Sequence, residues 1–160
     1  MLLYLIRHAH ASDAADDSKR RLSPEGRLQM EGLVAFLRAH AVPPPEAIWH
    51  SSLVRARETA RLLQEGLGWK APLTEMDGLH PEGDPRPIVA RVNAIEEPLA
   101  IVGHEPFLGA LGALLVRGSS WPPVFTMRKS GVLALERPVG CAGPWSASWQ
   151  LSPELFGLDS

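Results

Sequence analysis

"LLYLIRHAHAS", residues 2–12, decides how this chain is read. Its apolar run goes without interruption into Arg7 and His8. A continuous apolar run suits a strand covered on both faces, since its side chains alternate and both rows must then leave water. Such strands belong to sheets flanked by helices. A buried strand that stops on an arginine and a histidine, with His10 just beyond, aims polar groups at something past its end.

Working outward, Ser12–Arg21 is polar and reads as a loop. Ser23 offers a helix cap with Pro24 at the first helical position, and Met30, Leu33 and Leu37 carry helical spacing to about His40. Ala47–Ser51 is a second short strand. Ser52 is expected to cap a second helix with an apolar stripe at Ala56, Ala60, Leu63 and Leu67, stopped at Gly66 or Gly68. Pro72–Met76 gives a third strand and Leu99–Gly103 a fourth, with a helix near Pro87–Ala94 between them. Pro106 opens a helix that is apolar nearly all round and should be buried. Gly131–Glu136 and Ser146–Ser152 alternate like half-exposed edge strands. The expected architecture is α/β: a three-layer α/β/α arrangement with a mostly parallel central sheet and antiparallel edge strands. Residues 1–160 are read as one domain.

Composition narrows the function classes. At 160 residues, with 45% apolar and 21% charged residues, the chain has the makeup of a globular protein with a sizeable core. A net charge of −2 offers no global field for nucleic acid. Cys141 is the only cysteine, so an intrachain disulfide and a cysteine-based zinc site are excluded, and a reducing, cytoplasmic setting is expected. Leu2–Ile6 is too short for a signal-peptide core, and no apolar stretch is long enough to span a bilayer.

Sheets of this kind bind ligands at the carboxyl ends of their strands. Strand one exits into Arg7-His8, strand two into His50-Ser51-Ser52 with Arg55 in the first helical turn, and strand four into His104-Glu105. If these strands are neighbours, two arginines and two histidines converge. Arginine forks and helix amino-termini make an anion site. At ~4 Å and an effective dielectric of ~20, each charge pair is worth on the order of 4 kcal/mol before desolvation. A neutral imidazole is a nucleophile near pH 7, and neighbouring arginines disfavour its protonation. His8 is thus placed to attack phosphorus, with Arg7, Arg55 and His104 gripping the equatorial oxygens and no metal or other cofactor required.

The residues also carry a family likeness. "LIRHAHAS" resembles the Arg-His-Gly opening of the histidine phosphatase superfamily, which includes the phosphoglycerate mutases. "LSPEGRLQMEGLVAFL" resembles its Leu-Thr-x-x-Gly-x-x-Gln helix, "SSLVRARETA" its Ser-Pro-Leu-x-Arg-Ala-x-x-Thr-Ala segment, and "AIVGHEP" the strand bearing its second histidine. "LHPEGD" (Leu79–Asp84) and Phe125-Thr126 are similar to features of the small SixA-type phosphohistidine phosphatases. The likeness covers nearly the whole chain, in the right order. It implies a phosphoglycerate mutase-like fold, His8 as the phosphorylated histidine, Arg7 and Arg55 as phosphate-binding arginines and His104 as the second histidine. Arg20 falls where SixA-type proteins carry an arginine before their first long helix, which implies a substrate contact.

The sequence departs from the pattern at Ala9, where the family has glycine, and at Ser52, where it has proline. Nor does any residue match the glutamate that serves many members as proton donor. Glu82, Asp84 and Glu105 are the available carboxylates. Expelling imidazole from phosphohistidine demands less of an acid than expelling an alkoxide. A chain this short also leaves no room for an inserted lid, so an open site is expected. The resemblance then implies a metal-independent phosphohistidine phosphatase acting on a phosphorylated protein, working as a monomer away from membranes and nucleic acid. A small phosphate ester is the alternative substrate. Two rivals differ in kind: a metal site built from His8, His10 and His104, which chelators would inactivate, and a catalytically silent phosphoprotein-binding module. His10, His50, His80 and the acidic pair Asp16-Asp17 are read as rim, structural or solvated positions, and the tryptophans as core and edge residues.

Overall fold

Leu2–Arg7 forms strand β1, with every residue from Leu3 to Ile6 buried. In this computed structural model, which describes residues 1–156, its alternation sorts side chains into two cores. Tyr4 and Ile6 enter one core, Leu3 and Leu5 the other. The strand at Leu99–Gly103 does the same, with Ala100 and Val102 on the first face and Leu99 and Ile101 on the second. Both strands are covered on both sides, as their unbroken apolar runs require.

The elements follow in the order β1, α1 (Pro24–Ala39), β2 (Ala47–His50), α2 (Val54–Leu67), β3 (Leu73–Glu75), α3 (Arg86–Asn93), β4 (Leu99–Gly103), α4 (Phe107–Arg117), β5 (Val132–Glu136) and β6 (Ser146–Leu151), with single 3-10 turns at Asp17–Lys19 and Pro153–Phe156. They build a six-stranded sheet in the order β3-β2-β4-β1-β5-β6. The first four strands in that order run parallel, and β5 and β6 join antiparallel. Met30, Leu33 and Leu37 of α1 pack with Ala56, Ala60 and Leu63 of α2 on one face. Ile88 and Val92 of α3 pack with Leu108, Leu111 and Leu115 of α4 on the other. Each fully buried leucine here contributes roughly 1.5–3 kcal/mol from leaving water.

Three local readings change. Ser52 does not cap α2; the cap residue is Leu53, whose N–H donates to the Ser51 hydroxyl (3.1 Å), because Ser51 sits at the strand exit while Ser52 is turned to solvent. Val132–Glu136 is not half-exposed, since β5 lies between β1 and β6 and is buried from Val132 to Leu135. Trp121 is neither core nor edge packing and is 76% exposed. The Ser23 cap does form, its hydroxyl accepting from Gly26 N–H at 3.0 Å, a contact worth about 1 kcal/mol.

Candidate active site

Register brings three strand ends to one line. Arg7 pairs with Gly103 across β1 and β4, and His50 with Val102 across β2 and β4. The ladders continue one residue further: His8 N–H donates to Gly103 C=O at 2.9 Å and Ser51 N–H to Val102 C=O at 3.2 Å. β4 therefore separates two strands whose following helices pack on the first face, while its own helix packs on the second. The order of the sheet puts the expected ligand crevice at the carboxyl ends of β2, β4 and β1.

The turn after β1 is held by residues from both neighbouring helices. Ala9 N–H donates to Thr59 Oγ1 (3.1 Å), His10 N–H to Gln29 Oε1 (2.9 Å), and Ser23 N–H to His10 C=O (3.0 Å). Gly26 lets that carbonyl approach α1; a Cβ at this position would stand 2.0 Å from His10 O. Ser130 adds a clamp from the far side, its N–H lying 3.1 Å from both Arg7 O and His8 O. Gly26 and Gln29 of the α1 segment and Thr59 of the α2 segment thus serve one purpose, fixing the backbone of residues 7–10.

His8 and His104 face each other, ring centroids 5.0 Å apart and planes inclined at 54°. His8 Nδ1 is 2.7 Å from Ala9 O, and a carbonyl can only accept. The Nδ1 atom therefore carries the proton, and Nε2 keeps its lone pair. Burial pushes the His8 pKa from 6.5 down to about 3; the Ala9 bond opposes this, and Arg55, Arg7 and Lys129 reinforce it. His104 is lowered to about 3 as well, by burial first and then by His8, Arg55 and His80, with Asp17 opposing. Its Nε2 lies 2.7 Å from Ser51 Oγ, while its Nδ1 is buried without a hydrogen-bond partner. Both imidazoles are neutral near pH 7.

The arginines complete the cluster. Arg7 donates from one terminal nitrogen to Met127 O (2.8 Å), and Arg55 donates to Asp17 O (2.9 Å) and Asp17 Oδ2 (3.3 Å). Burial lowers the pKa of both guanidinium groups, with Glu105 opposing at Arg7 and Asp17 at Arg55. The Nε atoms of both arginines are buried and unpartnered. Three of the four buried side-chain nitrogens left unpartnered among the described residues therefore belong to Arg7, Arg55 and His104. Unmet donors are costly to bury, and a cluster of them at one crevice is the mark of an anion site.

The remaining candidates make no hydrogen bond with these four side chains among the described residues, though Arg20 shares Asp17 with Arg55 and Glu105 acts on Arg7. Arg20 directs its three nitrogens to Ser12 O, Asp17 Oδ1 and Ala11 O, and so braces the 12–21 loop. Glu105 accepts from Gly109 N–H (2.8 Å) and Met127 N–H, which makes it a cap for α4; burial raises its pKa against those bonds and Arg7. Asp84 is clamped bidentately by Arg86, and Glu82 is exposed. None of the three carboxylates shares a hydrogen bond with the His8, His104, Arg7 or Arg55 side chains among the described residues. The expectation of an open site is corrected in part, because His8, Arg55 and His104 are only 6%, 5% and 1% exposed and the 12–21 loop bends over Arg55. Asp17 is solvated as expected, its side chain 68% exposed, and it also bonds Arg55 and Arg20, which no sequence spacing announces. His10 is held at the start of α1 by Ser23 Oγ (2.6 Å), and no metal-holding group of three or more His, Cys, Asp or Glu occurs among the described residues.

Known proteins share this architecture. A family model described as histidine phosphatase superfamily (branch 1) matches residues 3–81. No curated protein matches the chain. Among solved structures, the protein histidine phosphatase SixA complexed with tungstate is 27% identical, with a TM-score of 0.85 over 97% of this chain and 99% of that one. A putative phosphohistidine phosphatase SixA from Agrobacterium tumefaciens shares the fold at 22% identity, with a TM-score of 0.78 over 95% of this chain and 97% of that one. A mycobacterial glucosyl-3-phosphoglycerate phosphatase shares it at 20% identity, with a TM-score of 0.70 over 92% and 96%. The paired histidines at the ends of β1 and β4, the two arginines beside them and the match across the β1, α1 and α2 segments have one common explanation: this chain belongs to the histidine phosphatase superfamily.

Proposed function

We propose that this chain is a phosphohistidine phosphatase that removes the phosphoryl group from a phosphorylated protein through a covalent intermediate on His8. The observation that carries the reading is the state of His8: a neutral ring with Nδ1–H anchored on Ala9 O and Nε2 free, facing His104. Nε2 attacks phosphorus and the phosphorus–nitrogen bond of the substrate breaks. Arg7, Arg55 and His104 Nδ1–H hold the equatorial oxygens as their charge redistributes. On this reading the Ser51 hydroxyl, 2.7 Å from His104 Nε2, donates to it and leaves the proton on Nδ1.

Proton balance favours phosphohistidine. A phosphorylated ring whose second nitrogen is protonated departs as neutral imidazole, so no acid is needed at the leaving atom. The same holds for the second half-reaction. Phosphorylated His8 keeps its Nδ1 proton on Ala9 O, water attacks phosphorus, neutral His8 leaves, and phosphate departs as H₂PO₄⁻ with both water protons. An alkoxide leaving group would need a proton, and Glu82, Asp84 and Glu105 are respectively solvated, clamped by Arg86 and occupied as a helix cap. The two guanidinium groups carry the neutralisation that other phosphatases assign to metal ions. The tungstate complex of the 27% identical SixA supports an oxyanion pocket of this kind, since tungstate is tetrahedral like phosphate.

The test is turnover of a histidine-phosphorylated protein beside phosphoserine, phosphotyrosine and phosphoglycerate, with and without a chelator. A higher kcat/KM on phosphohistidine, unchanged by chelation, is the expected result. Preference for an ester, or loss of turnover on chelation, overturns the proposal.

A further inference from the structure

One surface outside the crevice is set apart by its charge. A groove of about 580 Å³ is lined by Lys19, Arg21, Arg57 and Arg61, against one carboxylate, Glu58. That carboxylate is already committed. It accepts from Arg21 Nε at 2.9 Å and from Leu22 N–H at 2.8 Å, and it is buried beneath them. Arg57 is exposed and its side chain has no partner among the described residues. Lys19 and Arg61 have side chains 76% and 52% exposed, each facing a solvated carboxylate no closer than 3.8 Å. Exposed pairs of that kind are worth under about 1 kcal/mol, so both cations are free to take another anion. In a chain of net charge −2, this concentration of cations is a local feature.

The groove borders the crevice through two elements. Asp17 of the 3-10 turn holds Arg55, and Lys19 of the same turn lines the groove. On α2, Arg55 enters the crevice, while Arg57 and Arg61 lie on the groove side. A phosphoryl group gripped by Arg55 thus has a cationic channel alongside it. No Phe, Tyr or Trp lines that channel, and the His50 ring at its wall is buried, which removes the stacking platform a single-stranded nucleic acid uses.

We propose that this groove docks an acidic segment of the phosphorylated partner protein. The proposal rests on the phosphohistidine reading and names the kind of carrier that reading leaves open. Charge at a rim acts mainly on encounter and on salt dependence.

The test uses the full chain with Arg57→Gln and Arg61→Gln, singly and together, since both side chains are exposed and outside the crevice. The substrates are an acidic protein carrying phosphohistidine, the same protein with its acidic residues neutralised, and free phosphohistidine. On the acidic protein at low salt, the double variant should lose about tenfold in kcat/KM, mainly through KM, and the loss should shrink toward 1 M salt. Free phosphohistidine and the neutralised protein should be turned over as by the unaltered chain. Equal loss on all three substrates, or no loss on any, overturns docking while leaving the function intact. Absence of turnover on every phosphohistidine substrate, with a phosphate ester still cleaved, overturns both. Binding of single-stranded RNA through Arg57 and Arg61, with turnover of the acidic protein unaffected, reassigns the groove and overturns docking.

Discussion

The ends of β1 and β2 carry the same local device in different company. His8 follows β1 and places Nδ1 2.7 Å from the carbonyl of the next residue, Ala9. His50 ends β2 and places Nδ1 2.9 Å from the carbonyl of the next residue, Ser51. Both rings are buried, and both strands run parallel to β4 between them. His8 faces His104 and stands in the field of Arg55, Arg7 and Lys129. His50 lies at the wall of the basic groove, and its carbonyl accepts from Met76 N–H just past β3. Anchoring an imidazole on its own backbone is therefore only half of making a nucleophile. It selects the tautomer, and the neighbours supply a place for the phosphoryl oxygens.

The strongest way to break that comparison is to remove each ring in turn. His8→Ala should lower phosphohistidine hydrolysis by at least about 10⁴-fold, since the attacking atom itself is gone. It should also abolish the acid-labile phosphoenzyme seen after quenching with labelled substrate. His50→Gln should keep turnover within about threefold, because its ring touches no reacting atom. Comparable losses at both positions, in variants whose circular dichroism remains native, would show that the neighbours do not make the difference.

A smaller effect is expected at Arg55, which belongs to the helix launched from β2 yet serves the end of β1. Arg55→Ala should cost about 10²–10³-fold in kcat/KM, the usual loss when one donor to a developing oxyanion is removed. Inhibition by tungstate or vanadate should weaken in parallel. Asp17→Ala should do less, because the Asp17 carbonyl still accepts from Arg55 at 2.9 Å. Unchanged oxyanion inhibition in Arg55→Ala would remove this side chain from the pocket and leave the β1 end with Arg7 alone.

How much of this was legible beforehand differs by kind of signal. Continuous apolar runs announce β1 and β4 because side chains on both faces must be apolar, and the 3.6-residue stripes of α1 and α2 are equally plain. The meeting of Arg7, His8, Arg55 and His104 follows from strand ends and chain order, and the register of β1, β2 and β4 brings it about. Gly26, Gln29 and Thr59 are visible as parts of recurring segments, but their purpose is not. Each serves a backbone group in the turn after β1, a contact made only once the helices have packed. Asp17 and Ser51 were hidden more deeply. Asp17 reaches Arg55 because of the path taken by a polar loop, and Ser51 rather than its neighbour Ser52 meets His104 because a strand alternates its faces. β5 misleads for a simpler reason: it looks like a half-exposed edge, yet Val132 and Ala134 enter one core and Leu133 and Leu135 the other, so neither face is left to water.

The gentlest test concerns protons. His8 and His104 both have folded pKa values of about 3, against 6.5 for an unburied histidine. Between those limits the unfolded chain binds protons that the folded chain refuses, so stability rises with pH across that window and levels off above about 6.5. Acidification from pH 6.5 to 5 should therefore lower Tm in a buffer free of phosphate, with each imidazole contributing at most about 1.4 kcal/mol per pH unit. The carboxylates held below their ordinary range, such as Asp17 and Glu58, enter only at lower pH, whereas Glu105, raised by burial, works against this slope from just above the ordinary carboxylate range. His104→Gln keeps the site neutral and removes one of the two groups, so it should flatten the slope. The ring-proton resonances of His8 should stay fixed over the same range. Were they to titrate near 6.5, neither burial nor the cations beside it would be holding the ring neutral, and a proton would occupy Nε2 through part of the range in which it must attack.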